Sequence, residues 1–351
     1  MEYIRLFEQV SDYENFINGG GGLEATTLSF VEETGGIYSV EYTPVDDSKE
    51  YLTFVALEDG TFSFTKKGTG DDIQYSLDNG GTWVSLASGE YTPTITAGNK
   101  IMWKSTITPI TKSGIGQFSS TSKFNVEGNI MSMLFGDDFK NKTDLTGKDY
   151  AFYQLFNKSK VVNAYNLKLS ATTLTISCYS QMFSGCTSLT TAPELPATTL
   201  TITCYAKMFY GCKSLTTAPE LPATTLFESC YYDMFSGCTR MTTAPELPAT
   251  TLAANCYFGM FNGCLSLTTA PELPATTLVK YCYKQMFYGC RSLSVITMLA
   301  TDISAEGCLS FWVNGVSSTG TFVKHPDMTS LSTGLSGIPS GWEVVDKIDS
   351  N

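Results

Sequence analysis

The sequence is poor in histidine and in charge. Its 351 residues include one histidine, His325, and only 16% of the residues are charged. A single imidazole disfavours Ser-His and Cys-His nucleophilic catalysis and excludes catalytic metal sites built from several histidines. Basic residues number 22 against 34 acidic ones, which gives a net charge of −12, and no basic patch is present. We therefore expect no enzyme, no cofactor, no metal and no nucleic-acid partner.

Long apolar runs are also missing. No stretch approaches the ~20 apolar residues that a membrane-spanning helix needs, so we expect no membrane insertion. The opening residues, Met1 to Glu8, contain two acids and no apolar run of signal-peptide type. These features predict a protein made in the cytoplasm without a secretory leader. The length, at ~150 residues per domain, suggests about two domains with ample chain for a core.

A 26-residue repeat dominates the second half of the chain. Two cysteine series mark it, each with a step of 26 residues, and together they hold all eleven cysteines. The first series is Cys178, Cys204, Cys230, Cys256, Cys282 and Cys308, and the second is Cys186, Cys212, Cys238, Cys264 and Cys290. The shared phrase reads Leu-x-x-x-Cys-Tyr-x-x-Met-Phe-x-Gly-Cys-x-Ser-Leu-Thr-Thr-Ala-Pro-Glu-Leu-Pro-Ala-Thr-Thr.

The phrase predicts one helix and one short strand in each copy. Cys204, Met208 and Cys212 lie four residues apart, which is typical of one face of a helix, and Tyr205 and Phe209 widen that face. The glycine before the second cysteine stands where a helix would end in a left-handed residue. The segment after it contains two prolines and so favours only a short strand. Such units bury their apolar faces by stacking, as in a solenoid.

The repeat resembles the BspA-like leucine-rich repeat over roughly residues 150 to 309. The string Met-Phe-x-Gly-Cys-x-Ser-Leu-Thr-Thr carries the resemblance, with longer units than the family usually has and two prolines in place of the strand. It implies a curved, right-handed horseshoe used for adhesion and recognition. The expected fold class is an α/β leucine-rich-repeat solenoid preceded by a small all-β sandwich.

If the copies form a solenoid, roles can be predicted for the repeated cysteines and glutamates. Two helical cysteines eight residues apart would be about 12 Å apart, too far for a disulfide, and no Cys-x-x-Cys spacing points to metal. We therefore expect free, packed thiols. Four glutamates repeat on adjacent copies: Glu194, Glu220, Glu246 and Glu272. They predict either a solvated acidic stripe or a ridge that binds a cation or another ligand.

The positions before each Cys-Tyr, and the pair after it, change from copy to copy, for example Thr201 to Thr203 against Phe227 to Ser229. Such variation is typical of a scaffold that presents different contact residues to a partner. It is equally typical of exposed positions whose sequence drifts without selection. Both interpretations stay open at this point.

Residues from about 23 to 119 contain no cysteine, and their pattern predicts β-strands. Leu52–Leu57, an Asp59-Gly60 turn and Thr61–Phe64 predict a hairpin, and further strands are expected around Ile37–Tyr42, Gln74–Ser76, Thr82–Leu86 and Lys100–Lys104. The run Ser76–Trp83 resembles the Asp-box hairpin of sialidases. One copy predicts a turn with Trp83 packed over it, not a catalytic site.

The chain is therefore divided into five segments. They are an attachment segment with a glycine-rich tether (1–22), an antiparallel β-sandwich (23–119), a connector that caps the solenoid (120–149), the repeat solenoid (150–309) and a C-terminal cap (310–351). In the cap, Phe311–Val313, Gly320–Val323 and Ile338–Val345 are expected as strands, and His325 as an exposed loop residue.

Three function classes follow. The opening of the chain looks similar to structural proteins of phages and prophages of gut Bacteroidales. That likeness favours a virion fibre or appendage, attached to other virion proteins by its N-terminal segment and to a bacterial surface glycan or protein by its repeats. Fibres are often trimeric, so a homo-oligomer is among the expectations. The repeat family instead favours a bacterial cell-surface adhesin. A sialidase-like enzyme has only the Asp box in its favour, with no recognisable acid and base.

Overall fold

The computed structural model describes residues 6–7, 25–33, 37–44, 50–329 and 331–348. The chain divides into two compact units, Met1–Glu50 and Tyr51–Asn351. The predicted 23–119 sandwich runs across this division. The predicted attachment segment 1–22 lies outside the described residues except for Leu6–Phe7.

Strands account for most of the regular structure. In chain order they are β1 (Leu6–Phe7), β2 (Ala25–Glu33), β3 (Ile37–Pro44), β4 (Leu52–Ala56), β5 (Phe62–Lys66), β6 (Ile73–Ser76), β7 (Val84–Leu86), β8 (Lys100–Lys104), β9 (Gly116–Ser120), β10 (Phe124–Asn129), β11 (Leu167–Lys168), β12 (Val295–Met298), β13 (Thr321–Lys324) and β14 (Glu343–Asp346). The helices in the described part are α1 (Ser132–Phe135) and a 3₁₀ turn (Gly136–Phe139).

The first unit contains an antiparallel sheet with strand order β1-β3-β2. The long pair β2 and β3 runs from Ala25 opposite Pro44 to Glu33 opposite Ile37, with one register shift near its start. The predicted strand around Ile37–Tyr42 is confirmed by β3.

The second unit begins with two sheets that share a core. One has the order β11-β10-β4-β8-β6-β7 and the other pairs β5 with β9. Phe54 on β4 lies between them, with ring centroids 5.4 Å from Phe62 and 4.8 Å from Phe118. The strands predicted around Gln74–Ser76 and Lys100–Lys104 are confirmed, as is the end of the one predicted at Thr82–Leu86.

The predicted hairpin is wrong, although both of its strands exist. β4 pairs with β8 and β10, whereas β5 pairs with β9. The chain crosses between the sheets at Gly60, which exchanges two backbone hydrogen bonds with Ile95. The Asp59 side chain accepts a hydrogen bond from the Ala97 amide. These partners satisfy the turn from outside, so its Asp-Gly signature does not close a two-stranded ladder.

The repeat segments predicted as helices are instead runs of tight turns, which we call the ribbon. Its segments are residues 150–158, 176–186, 202–212, 228–238, 254–264, 280–290 and 306–315. Every fourth residue is left-handed, as in Ser177 (φ 54°), Gln181 (φ 57°) and Gly185 (φ 74°). An α-helix cannot contain such residues. The helical part of the α/β prediction is therefore wrong.

Hydrogen bonds in the ribbon alternate between local and interlayer partners. The amides of Tyr179 and Phe183 donate to the carbonyls of Cys204 and Met208, which lie 25 residues further along the chain. The intervening amides, such as that of Met182, donate three residues back within the same turn. The pattern recurs at every junction between copies, so the copies stack as neighbouring strands do.

Layer spacing explains why a helix does not form. Rings at equivalent positions lie close together, with centroids 5.7 Å apart for Phe183 and Phe209 and 6.0 Å apart for Tyr205 and Tyr231. Packed helices need roughly 8–10 Å between their axes, whereas strands need about 4.8 Å. The apolar face predicted for the helix is nevertheless buried, since cysteine, tyrosine, methionine and phenylalanine all point inward.

The extended half of each copy follows its prolines. Where both prolines are present, the copies meet through isolated parallel bridges such as Thr217 with Thr243 and Thr225 with Thr251. After the last full copy the equivalent segment contains no proline, and β12 forms there and begins a parallel sheet of order β12-β13-β14. This agrees with the expectation that proline permits only a short strand.

Both ends of the stack are covered. At its start, the Phe118 amide of β9 donates to Leu155, and the Phe118 ring stacks on Phe156 at 5.7 Å. Sheet strands thus precede the first ribbon layer. At the far end Trp312 breaks the ring column and donates to the Gly337 carbonyl. The predicted cap strands within 320–323 and 338–345 are present as β13 and β14, whereas Phe311–Val313 continue the ribbon.

The described chain is thus mostly β, with few helices and repeated strand-rich elements. Within the described residues no sheet closes into a barrel. None of the helices described there has the length and apolar character needed to cross a membrane.

A substitution at Gln285 distinguishes the ribbon from a helix. Gln285 (φ 55°) occupies the position that Gly259 (φ 60°) fills in the preceding copy. We expect Gln285→Gly to raise the free energy of unfolding by about 0.5–1 kcal/mol, because a left-handed residue with a Cβ costs about 1–2 kcal/mol and glycine entropy offsets part of it. In a helix the same change would destabilise by roughly 0.5 kcal/mol. Urea denaturation followed by tryptophan fluorescence measures the difference.

Gln285→Ala is the matched control, because alanine keeps the Cβ and therefore the strain. We expect it to leave the urea midpoint close to that of the unchanged protein. An order with alanine most stable and glycine least stable would contradict the ribbon conformation.

Candidate functional site

The four predicted glutamates lie on one exposed face of the repeats, which we call the proline face. It consists of the Thr-Thr-Ala-Pro-Glu-Leu-Pro-Ala-Thr-Thr segment of each copy. Glu194, Glu220, Glu246 and Glu272 are exposed, and the leucine that follows each one is buried. A period of two thus holds through the prolines and directs the carboxylates to solvent.

A groove of about 580 Å³ runs along the proline face between two copies. Its lining includes Pro245, Glu246, Pro271 and Glu272. The Lys347 ammonium donates to Glu272 at 2.6 Å, whereas Glu246 has no hydrogen-bond or ion-pair partner in the described part of the chain. No group of three or more metal-ligating side chains is found among the described residues. Ligand binding by the glutamates stays a prediction.

The positions that vary between copies lie together on a second face, which we call the ribbon face. They include the first two left-handed residues of each ribbon segment and the residue before each left-handed position. Aromatic side chains are exposed there and near its edges, with Tyr210 at 44%, Tyr288 at 40% and Phe311 at 48% of their full accessibility. The constant cysteine, tyrosine, methionine and phenylalanine residues of the same segments point into the core. The varied positions range from buried, as at Ser180 and Ala206, to exposed, as at Tyr210.

A column of rings and ammonium groups lies near the middle of the ribbon face. Tyr232 and Phe258 occupy the same position in adjacent copies and stack with centroids 4.7 Å apart. Lys207 lies over the Tyr232 ring at 5.3 Å, and Lys284 lies over the Phe258 ring at 5.3 Å. Each ammonium group is thus attracted by the face of a ring, and the ring edges are left to the surface.

Two acidic groups on the ribbon face lie close to a lysine of a neighbouring layer. Asp233 lies 3.7 Å from Lys207, and Glu306 lies 2.8 Å from Lys280. Burial raises the pKa of Asp233 to about 6, even though Lys207 opposes that shift. A Cβ at Gly259 would lie 2.0 Å from the Asp233 carboxylate, so glycine in the next layer leaves room for it.

All eleven cysteines are free and buried, in agreement with the predicted packed thiols. The thiols of the second series reach the preceding layer: Cys212 donates to the Phe183 carbonyl at 3.1 Å and Cys238 donates to the Phe209 carbonyl at 3.2 Å. Burial raises the pKa of the Cys178 and Cys238 thiols to about 12. Thiols of this kind stay protonated at neutral pH and are poor nucleophiles.

The Asp-box segment forms the predicted turn. Asp78 accepts hydrogen bonds from the Thr82 amide and the Ser76 hydroxyl, which lower its pKa to about 2. Trp83 packs edge-on against Tyr51 with centroids 4.8 Å apart. The Asp78 carboxylate is thus engaged in holding the turn.

His325 lies in a loop and is partly exposed. Its Nδ1 accepts a hydrogen bond from the Asp327 amide at 3.1 Å. This places the single histidine in a local turn, as expected.

Comparison of the chain with protein-family models, with curated proteins and with solved structures returned no match.

The ring column was missed by the sequence reasoning. Tyr232, Phe258 and Lys284 each follow the constant Cys-Tyr pair, so variation flagged the position. The sequence does not show that residues 26 apart touch, because that follows from the strand-like layer spacing.

The buried thiols predict a pH dependence of stability. Their pKa is raised in the folded chain above the ordinary value of 9, so the folded state keeps protons that the unfolded state loses. Stability is therefore fully present below pH 9 and decreases as the pH rises towards 12. We expect the urea midpoint to fall over this interval, and thiolate absorbance in the ultraviolet to appear only near or above pH 12, or on unfolding.

Cys238→Ala should reduce the alkaline loss of stability, because it removes one of the protonated groups. Its lower midpoint at pH 7 serves as the reference for that comparison. Thiolate absorbance that rises near pH 9 in the folded protein would contradict buried thiols.

Proposed function

We propose that this chain is a non-enzymatic recognition protein whose repeat region is a solenoid that displays a binding surface. The interlayer hydrogen bonds and the stacked columns of tyrosine and phenylalanine support the solenoid. Its coil consists of a turn ribbon and a short extended segment instead of a helix and a strand. The two sheets at the start of the second unit, which we propose to be a small sandwich, cover one end.

The gathering of varied residues on the ribbon face carries the proposal. A scaffold that only needed to fold would gain nothing from exposed aromatic residues, because surface side chains contribute little to stability. Rings beside charged groups, on the other hand, are the side chains that dominate binding surfaces. We therefore assign ligand contact to the ribbon face, with a bacterial surface glycan or protein as the partner.

The biological setting we propose is a phage virion. In it the chain is a fibre or appendage, joined to other virion proteins through its N-terminal segment and to the host bacterium through the repeats. The likeness of the chain's opening to phage structural proteins supports this setting. The likeness of the repeat to BspA-like adhesins supports a second candidate, a bacterial cell-surface adhesin that would use the same face.

Binding of the full chain to bacterial cells tests the ribbon face. We expect the double variant Tyr232→Ser, Phe258→Ala to weaken cell binding about tenfold or more, the loss expected when a binding hot spot of ~1.4 kcal/mol or more is removed. Serine and alanine occupy the same position in two other copies, as Ser180 and Ala206, so the ribbon accommodates both. Flow cytometry with the labelled protein measures the binding.

The control is the double variant Glu220→Gln, Glu246→Gln on the proline face, which we expect to bind as the unchanged protein does. Circular dichroism and urea midpoints establish that both variants fold. The proposal fails if the proline-face variant loses binding while the ribbon-face variant keeps it.

The two settings are separated by where the protein is found. Antibody labelling in electron microscopy should mark purified virions released from the producing strain. Label on the outer surface of uninfected bacteria, with none on virions, would replace the virion setting by the adhesin.

A further inference from the structure

We propose that the ring column Lys207, Tyr232, Phe258 and Lys284 binds an acidic polysaccharide, with the ammonium groups facing its anionic substituents. This inference rests on the proposed function, because it names the ligand class of the same ribbon face. The four side chains come from four successive copies. With layers about 4.8 Å apart, the two ammonium groups are separated by roughly 14 Å along the stack.

The charge of this column is uncompensated at one end. Lys284 contacts the rings of Phe258 and Tyr281, at 5.3 and 4.8 Å, and has no carboxylate partner among the described residues. At the other end, Lys207 is 3.7 Å from Asp233, beyond ordinary hydrogen-bond distance. Both ammonium groups therefore have N–H donors available to a ligand.

The rings contribute to the same preference. Tyr232 and Phe258 face each other and the two lysines, so their faces are occupied and their edges remain. An aromatic edge carries partial positive charge. Ring edges flanked by ammonium groups form a surface that attracts anions, even though the whole chain has a net charge of −12. The anion-attracting property is therefore local to this column.

The backbone of the ribbon argues for a glycan over a peptide. Extended peptides bind by pairing with the free backbone groups of a sheet edge. In the ribbon the amides of Lys207 and Asp233 donate to the next layer, and those of Tyr232 and Lys284 donate within their own turns. No amide in this column is left to pair with a peptide strand. Recognition must then depend on side chains, and a chain of anionic sugars can place charged substituents near both ammonium groups, which lie roughly 14 Å apart along the stack.

Two pairs of defined polymers test the inference with the full chain. Polygalacturonate is compared with its methyl ester, and dextran sulfate with dextran, since the members of each pair share a sugar backbone and differ in whether it carries anionic groups. We expect the protein to bind a charged member and not its neutral counterpart, with affinity that falls as salt is added. Lys284→Gln should weaken that binding about tenfold, equivalent to ~1.4 kcal/mol. Biolayer interferometry with immobilised protein measures it.

Lys213→Gln is the matched control, since it removes an exposed lysine just outside the ribbon and should leave binding unchanged. Polyglutamate is the probe for the competing class of macromolecule. Equal binding of polyglutamate, equal binding of the neutral polymers, no binding of either charged polymer, or equal losses in the two lysine variants would overturn the inference. The cell-binding result for Tyr232→Ser, Phe258→Ala is independent of these polymers, so the proposed function can survive such a failure.

Discussion

The structure depends on one hydrogen bond that recurs from layer to layer. Where one ribbon layer meets the next, the amide of every second ribbon residue donates to a carbonyl 25 or 26 residues further along the chain, as from Tyr205 to Cys230. This bond sets a strand-like spacing between copies and forces equivalent residues to touch. It also requires a left-handed residue at every fourth position, so that the intervening amides can bond within the turn. The helix that the apolar pattern suggests would satisfy its amides internally and would hold the copies too far apart.

Contact between equivalent residues determines which side chains the repeat can use. Flat rings stack well on copies of themselves, and the buried phenylalanine column does so with interplanar angles as small as 2°. Cysteine is small enough to repeat in successive layers, and its thiol can donate to a carbonyl of the layer before it. Repeated charges, in contrast, repel. The ribbon face avoids this by alternating sign, as in Lys207 and Asp233. The proline face does not, and Lys347 neutralises only Glu272 there.

The same contact rule separates what the sequence could predict from what it could not. The inward direction of Cys204, Met208 and Phe209 follows from a period of four, which a helix and the ribbon share. The burial of these side chains was therefore predicted correctly, although the predicted backbone conformation was wrong. The left-handed glycines, such as Gly211 (φ 70°), were predicted as residues that end a helix, and they have the same conformation in the ribbon. The sequence contains no direct sign of left-handed Gln181 or Lys207, because those residues adopt that conformation only when interlayer bonds impose it.

The predicted hairpin at Asp59-Gly60 failed for a related reason. The sequence correctly predicts a turn at Asp59-Gly60. It does not predict that β4 and β5 pair with strands distant in sequence, β4 with β10 and β5 with β9. The candidate site shows the same limit. Variation identified Tyr232, Phe258 and Lys284 one by one, and only the layer spacing makes them neighbours.

Saturation of the ribbon's backbone links fold to function. Because the ribbon amides from Thr203 to Cys212 each have a partner in their own copy or in the next layer, as do the equivalent amides of the copies on either side, the stability of the stack depends little on the outward side chains. Those side chains can therefore differ between copies at little cost, whereas a change in an inward column disturbs the layers on both sides. A surface assembled this way presents one outward side chain from each layer along the stack, which is the arrangement that the proposed polysaccharide would contact. The outward column from Lys207 to Lys284 is the part of this surface where ring edges and positive charge coincide.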